Sequence, residues 1–205
     1  MNMASKFPVA CVHGRFQPPH LDHLRYMLAA KERADFLWIG LAQYDLWDME
    51  ECLLAPHRGQ PDNNPLTYYE RVTIIADVLV EAGCSRAEFG CIPFPIDRPD
   101  RIRQFLSPSV VCLTTICEDW NSVKIETLRA AGYVVEVLWN EPKRIEGRRI
   151  REAIVAGDES WRELVPAATS KALDRLDIRS RLVRPEAAES ATALDHPSGD
   201  GTANR

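Results

Sequence analysis

A chain of 205 residues, 45% hydrophobic and 27% charged, is long enough for one α/β domain with a real core, and a second full domain would be cramped. A formal net charge of −5 argues against a nucleic-acid binder driven by bulk charge, yet it is compatible with local basic pockets for small phosphorylated ligands. No stretch approaches the roughly 20 apolar residues of a membrane span, and Met1 to Lys6 hold no apolar run long enough for a signal peptide, so a cytoplasmic protein is expected.

In chain order, Val9-Ala10-Cys11-Val12 reads as a buried strand, and Leu21, Leu24, Met27 and Leu28 follow with helical spacing. Phe36 to Leu41 is a second strand, and Tyr44 to Leu66 a long connection rich in Pro, Asn and Asp. Thr67-Tyr68-Tyr69-Glu70 reads as a capping box, and Val72, Ile75 and Leu79 mark the apolar face of the helix it opens, which Gly83 would end. Glu88 to Phe94 is a strand, Arg98 to Leu106 a short helix, and Val110 to Leu113 a strand. A helix from Ser122 to Ala131, closed by Gly132, leads to a fifth strand, Tyr133 to Trp139. Beyond it Arg148 to Ala156, Ser160 to Val165 and Ala168 to Arg181 are expected to be helical. Pro185 to Arg205 lacks apolar periodicity, so the domain is expected to span residues 7–182 with a disordered tail over 183–205. The six cysteines contain no Cys-x-x-Cys pair, which reads as reduced thiols rather than a disulfide framework or a zinc site.

Strands alternating with helices predict an α/β fold: a doubly wound, mostly parallel five-stranded sheet followed by C-terminal helices. In such sheets ligands bind at the carboxyl ends of the strands, near the switch point. The turn after the first strand, Gly14-Arg15-Phe16-Gln17-Pro18-Pro19, leads into His20 and His23, which share a face at a helix N-terminus. Free backbone N–H groups and the helix dipole favour an anion there, and Arg15 adds a cation suited to phosphate oxygens. The two histidines also read as surface or core residues, or as metal ligands lacking an obvious third partner.

Gly14-Arg15-Phe16-Gln17-Pro18-Pro19-His20-x-x-His23 closely resembles the first signature of the nucleotidylyltransferase superfamily, Gly-Arg-Phe-Gln-Pro-Phe-His-x-Gly-His, and above all that of archaeal-type nicotinamide mononucleotide adenylyltransferases. Asp22 stands where the family has glycine, and a carboxylate there repels a triphosphate unless it points away or meets a metal. Ile145-Glu146-Gly147-Arg148-Arg149-Ile150-Arg151 resembles the other signature, Ile-Ser-x-Thr-x-x-Arg, with Glu146 and Arg148 in place of serine and threonine. Asn64-Pro65-Leu66-Thr67-x-x-Glu70-Arg71, Pro95-Ile96-Asp97 and Trp161-x-x-Leu164-Val165-Pro166 extend the likeness over roughly residues 8 to 180.

The resemblance implies a Rossmann-like enzyme that transfers a nucleoside monophosphate from a triphosphate, ATP first, to a phosphate-bearing acceptor such as nicotinamide mononucleotide, giving an NAD-type product and pyrophosphate. A CTP- or ATP-dependent enzyme acting on another phosphate or phosphonate is the alternative, and a degenerate nucleotide-binding protein a third. By family position His20, His23 and Arg151 are catalytic. Gly14, Arg15, Phe16, Arg148 and Ile150 would bind nucleotide phosphate, and Arg71, Asp97 and Trp120 the acceptor. Trp120 also reads as simple packing, and Arg98, Arg101 and Arg103 as either an acceptor-phosphate site or a solvated face. Mg2+ would be held mainly by phosphates and water, with no dedicated metal ligands. The expected partners are small molecules, with neither nucleic acid nor membrane, and the resemblance leaves room for a homo-oligomer.

Overall fold

The computed structural model describes residues 6–45, 63–117 and 120–183. The tail expected to be disordered, apart from Val183, and most of the Tyr44–Asn63 loop lie outside the described residues. Five strands, β1 (Phe7–Gly14), β2 (Ala34–Leu41), β3 (Phe89–Pro93), β4 (Val111–Ile116) and β5 (Val135–Asn140), form one parallel sheet in the order β3-β2-β1-β4-β5. β1 lies at the centre, and Ala10, Cys11 and Val12 are buried in succession, as a strand covered on both faces requires. The chain steps outward from β1 to β3 and returns on the far side of β1 as β4, so the switch point falls between the ends of β1 and β4.

Helices α1 (Leu21–Glu32) and α2 (Tyr68–Glu81) cover one face, joined by α4 (Gly147–Ala156) and α5 (Ala167–Arg175). Their apolar stripes, including Met27, Ile75, Ile150 and Leu173, share a core with Val12 and Leu37. Helix α3 (Trp120–Ala130) and a short 3-10 turn at Pro99–Gln104 cover the other face, packing Ile102, Ile125 and Leu128 on Cys11 and Phe94. The Thr67 capping box forms as expected: Thr67 N–H donates to Glu70 Oε2 at 2.9 Å, and Glu70 N–H to Thr67 Oγ1 at 3.2 Å.

The expected helix from Ala168 to Arg181 is instead two, α5 and α6 (Ile178–Val183). Asp177 between them adopts φ 45°, a left-handed conformation that ends the first helix and turns the second. Arg181 then reaches Glu70 at 2.8 Å, fastening α6 to the start of α2. Cys11, Cys84, Cys91, Cys112 and Cys117 are free thiols. Among the described residues no helix is long and apolar enough to cross a membrane.

Candidate active site

The β1–α1 turn is held rigidly from below. Gly14 ends β1 where a Cβ would press on the Phe16 ring at 3.1 Å. Phe16 takes φ 54° and sinks its side chain into the core, its ring edge-on to His23 at 4.8 Å between centroids. The buried Gln17 amide pairs with the backbone of Leu66 in both directions, Nε2 donating to its carbonyl at 2.7 Å and Oε1 accepting from its N–H at 3.0 Å. His20 caps α1 in an extended conformation, and its N–H donates to His23 Nδ1 at 3.4 Å. The two imidazoles stack 3.6 Å apart between centroids.

Three ties bring the second basic segment onto this turn. Arg151 is only 6% exposed, and its Nη1 donates to the Gln17 carbonyl at 2.7 Å while Nη2 donates to Asn63 Oδ1. Gly147 opens α4 against the same carbonyl, where a Cβ would lie 2.9 Å from the Gln17 oxygen, so only glycine allows this approach. Asp22 Oδ2 accepts from the backbone N–H groups of Arg144 and Ile145, both at 3.0 Å, and Arg144 Nε lies 3.6 Å from Oδ1. The Asp22 carboxylate is therefore spent on the backbone leading into α4. Asp22→Ala is expected to destabilise the protein by about 1–3 kcal/mol by orphaning those donors. If Asp22 instead repelled a triphosphate, calorimetry of the variant would show tighter nucleotide binding.

Burial dominates the electrostatics. It brings the His20 imidazole down to about 4, with Asp22 opposing and Lys143 assisting. His23 is pushed well below its usual range by burial, then by His20, Lys143 and Arg15. Both rings are therefore neutral at pH 7, beside cations and at the N-terminus of α1. Burial, aided by Lys124, holds His13 neutral as well. The unfolded chain takes up protons near pH 6.5 that these three folded imidazoles refuse, so stability is fully present above that pH and is lost as pH falls. His20 alone accounts for about 3 kcal/mol of that loss by pH 4. Denaturant midpoints measured from pH 7 to pH 4 should fall, and His20→Gln should flatten the profile.

The chain is 36% identical over 172 residues to a phosphonoformate cytidylyltransferase from Streptomyces viridochromogenes, covering 83% of this chain and 93% of that protein. It is 30% identical over 179 residues to a nicotinamide-nucleotide adenylyltransferase from Ignicoccus hospitalis, covering 82% and 92%. The chain belongs to the nucleotidylyltransferase family. No family model matches it. Among solved structures it resembles a bifunctional NMN adenylyltransferase/ADP ribose pyrophosphatase from Francisella tularensis complexed with AMP and a manganese ion, at a TM-score of 0.60 and 14% identity. That likeness shows the fold: it covers 86% of this chain, which spans about half of that one (52%).

In this nucleotidylyltransferase the two signatures meet, but not every expected residue faces a ligand. The side chains of Phe16 and Ile150 lie in the core. Arg148 is 71% exposed, with Nε 3.5 Å from Glu152, and stands apart from the buried Arg151. Glu146 caps α4 without a side-chain bond to its first turn. Asp97 is exposed at the end of β3 and accepts from Gln43 Nε2 at 2.8 Å. Trp120 opens α3, and its side chain lies outside the described residues.

Arg71, expected at the acceptor, lies beneath the histidine turn. Arg71 is completely buried, and it donates to the carbonyls of Arg15, Ala42, Gln43 and Thr67. It shapes the site from beneath. Sequence reading missed Lys143, which is close enough to His20 and His23 to disfavour their protonation because the β5–α4 connection folds onto Asp22 of α1. It also missed Gln17 and Asn63 as the groups that receive Arg151.

Proposed function

We propose that this nucleotidylyltransferase transfers a cytidylyl group from CTP to a small phosphonate acceptor, releasing pyrophosphate. The observation that carries the transfer reading is the joining of the histidine turn to the second basic segment through Arg151, Gly147 and Asp22, which builds one anion-handling site from two distant motifs. CTP and a phosphonate are favoured by the 36% likeness to a phosphonoformate cytidylyltransferase. The likeness to nicotinamide-nucleotide adenylyltransferases supports ATP and nicotinamide mononucleotide as the second reading.

An oxygen of the acceptor's phosphorus group, already anionic near neutral pH, attacks the α-phosphorus. The bond from that phosphorus to the bridging oxygen breaks, and its electron pair leaves with pyrophosphate. No general base is needed, so catalysis reduces to positioning and charge stabilisation. His20 and His23, as neutral imidazoles, would donate hydrogen bonds to the transferred group. Arg15, Lys143 and Arg151 would offset charge on the leaving pyrophosphate.

Among the described residues no three His, Cys, Asp or Glu side chains gather as a metal cluster. A donor set of cations and imidazoles fits a magnesium ion held by triphosphate oxygens and water, where it would neutralise part of the pyrophosphate charge. A cytoplasmic location accords with this reading.

The test is pyrophosphate release from purified protein with magnesium, pairing CTP or ATP with phosphonoformate or nicotinamide mononucleotide. Release with CTP and phosphonoformate is expected. Release only with ATP and nicotinamide mononucleotide would replace the first reading with the second. Nucleotide binding by calorimetry without release from any pair would point to a binding protein without turnover.

A further inference from the structure

Among the described residues His13 is the one imidazole near the strand ends that the transfer reaction does not use. It precedes Gly14 at the carboxyl end of β1 and points to the α3 face, the same face as Cys11 two residues earlier. Its ring stacks on Phe94 at 4.5 Å between centroids, 14° from parallel, and the residue is only 4% exposed. Neither Nδ1 nor Nε2 has a hydrogen-bond partner among the described residues. Burying unsatisfied ring nitrogens is costly, and a phenyl ring would fill this slot against Phe94 without that cost. The nitrogens therefore call for a partner that the described chain does not supply.

Position suggests which partner. Arg151 and the core beneath the histidine turn lie on the α1–α4 face of the sheet. In-line displacement puts the attacking and leaving oxygens on opposite sides of the α-phosphorus. With the leaving pyrophosphate gripped on the α4 side, the attacking acceptor arrives from the α3 side, across the β1/β4 switch point. His13 lies there, and Lys124 of α3 is close enough to disfavour a positive charge on its ring. A cation favours an anion at that place. Stacked on Phe94, the ring can offer only its edge, so it presents one N–H, enough for one oxygen of a small planar anion.

We propose that His13 is a specificity-determining residue that binds a carboxylate of the acceptor, next to the phosphorus group that reacts. The proposal rests on the transfer reading above and names the feature that selects among acceptors. An acid carrying a carboxylate beside its phosphonate gains this contact, and a simple alkyl phosphonate does not.

Two measurements test it. In protein labelled with 15N-histidine, phosphonoformate should shift the His13 ring resonances, and methylphosphonate should not. In steady-state assays His13→Phe, which keeps the stack on Phe94, should raise the KM for phosphonoformate by about tenfold or more and leave the KM for CTP unchanged. His13→Gln, which restores a donor, should recover part of the loss and guards against a folding defect in the first variant. An unchanged KM for phosphonoformate in a folded His13→Phe variant would overturn the assignment, as would His13 resonances indifferent to saturating phosphonoformate. Absence of pyrophosphate release from the wild-type protein with every acceptor would sink the transfer reading instead, and the resonance shift alone would then decide the subsite.

Discussion

Arg151→Ala is expected to slow pyrophosphate release by on the order of a hundredfold or more, the scale of a lost transition-state stabiliser. The same change should lower stability, because the guanidinium is part of the architecture it serves. It donates to the Gln17 carbonyl and to the Asn63 amide oxygen, and with it removed both acceptors lose a buried donor. The turn carrying His20 would then lose one of its three ties to the second basic segment, so part of the rate loss would come from displaced histidines. Arg151→Lys separates the contributions: an ammonium keeps the charge but cannot reproduce the planar fork that addresses two partners. It should stabilise better than Ala yet remain well below the wild-type rate. Parallel kcat/KM and melting curves provide the check, and a wild-type rate in Arg151→Ala would remove this residue from the site.

Much of this site was legible because its chemistry is local. The histidine turn, its helix N-terminus and the Thr67–Glu70 capping box each need only residues within a few positions, and the period of the apolar residues marked all five strands. What was not legible depends on partners far along the chain. Asp22 looked like a repulsive charge because the N–H groups it accepts from lie 122 and 123 residues away. Phe16 looked like a ligand contact because nothing in its neighbours forecasts a positive φ that turns its ring into the core. The break between α5 and α6 falls at Asp177, without the glycine or proline that usually announces one. His13 carries no signal in its sequence neighbours, because the ring it stacks on, that of Phe94, lies far along the chain.

Arg71→Ala should produce the largest loss of stability. Its Nη1 donates to the carbonyls of Arg15 and Ala42 at 2.8 and 2.7 Å, Nη2 to that of Gln43 at 2.7 Å, and Nε to that of Thr67 at 3.3 Å. These carbonyls belong to the histidine turn, the exit from β2 and the start of α2, so one side chain gathers three segments. Burial brings the guanidinium down to about 10, so it stays charged at neutral pH and its bonds are charge-assisted. Each buried carbonyl left without its donor costs about 1–3 kcal/mol, so the combined loss is expected to lower the melting temperature by on the order of 10 °C. Arg71→Met tests whether volume or hydrogen bonding matters, since it fills much of the space and makes none of the four bonds. Catalysis should fall as well, with the KM for both substrates affected, because Arg15 and the turn lose their support from below. A direct acceptor contact, as family position implies, would give a different pattern: a raised KM for the acceptor alone and a melting temperature close to wild type. The complete enclosure of the side chain argues for the first pattern, and thermal melting beside substrate titrations decides between them.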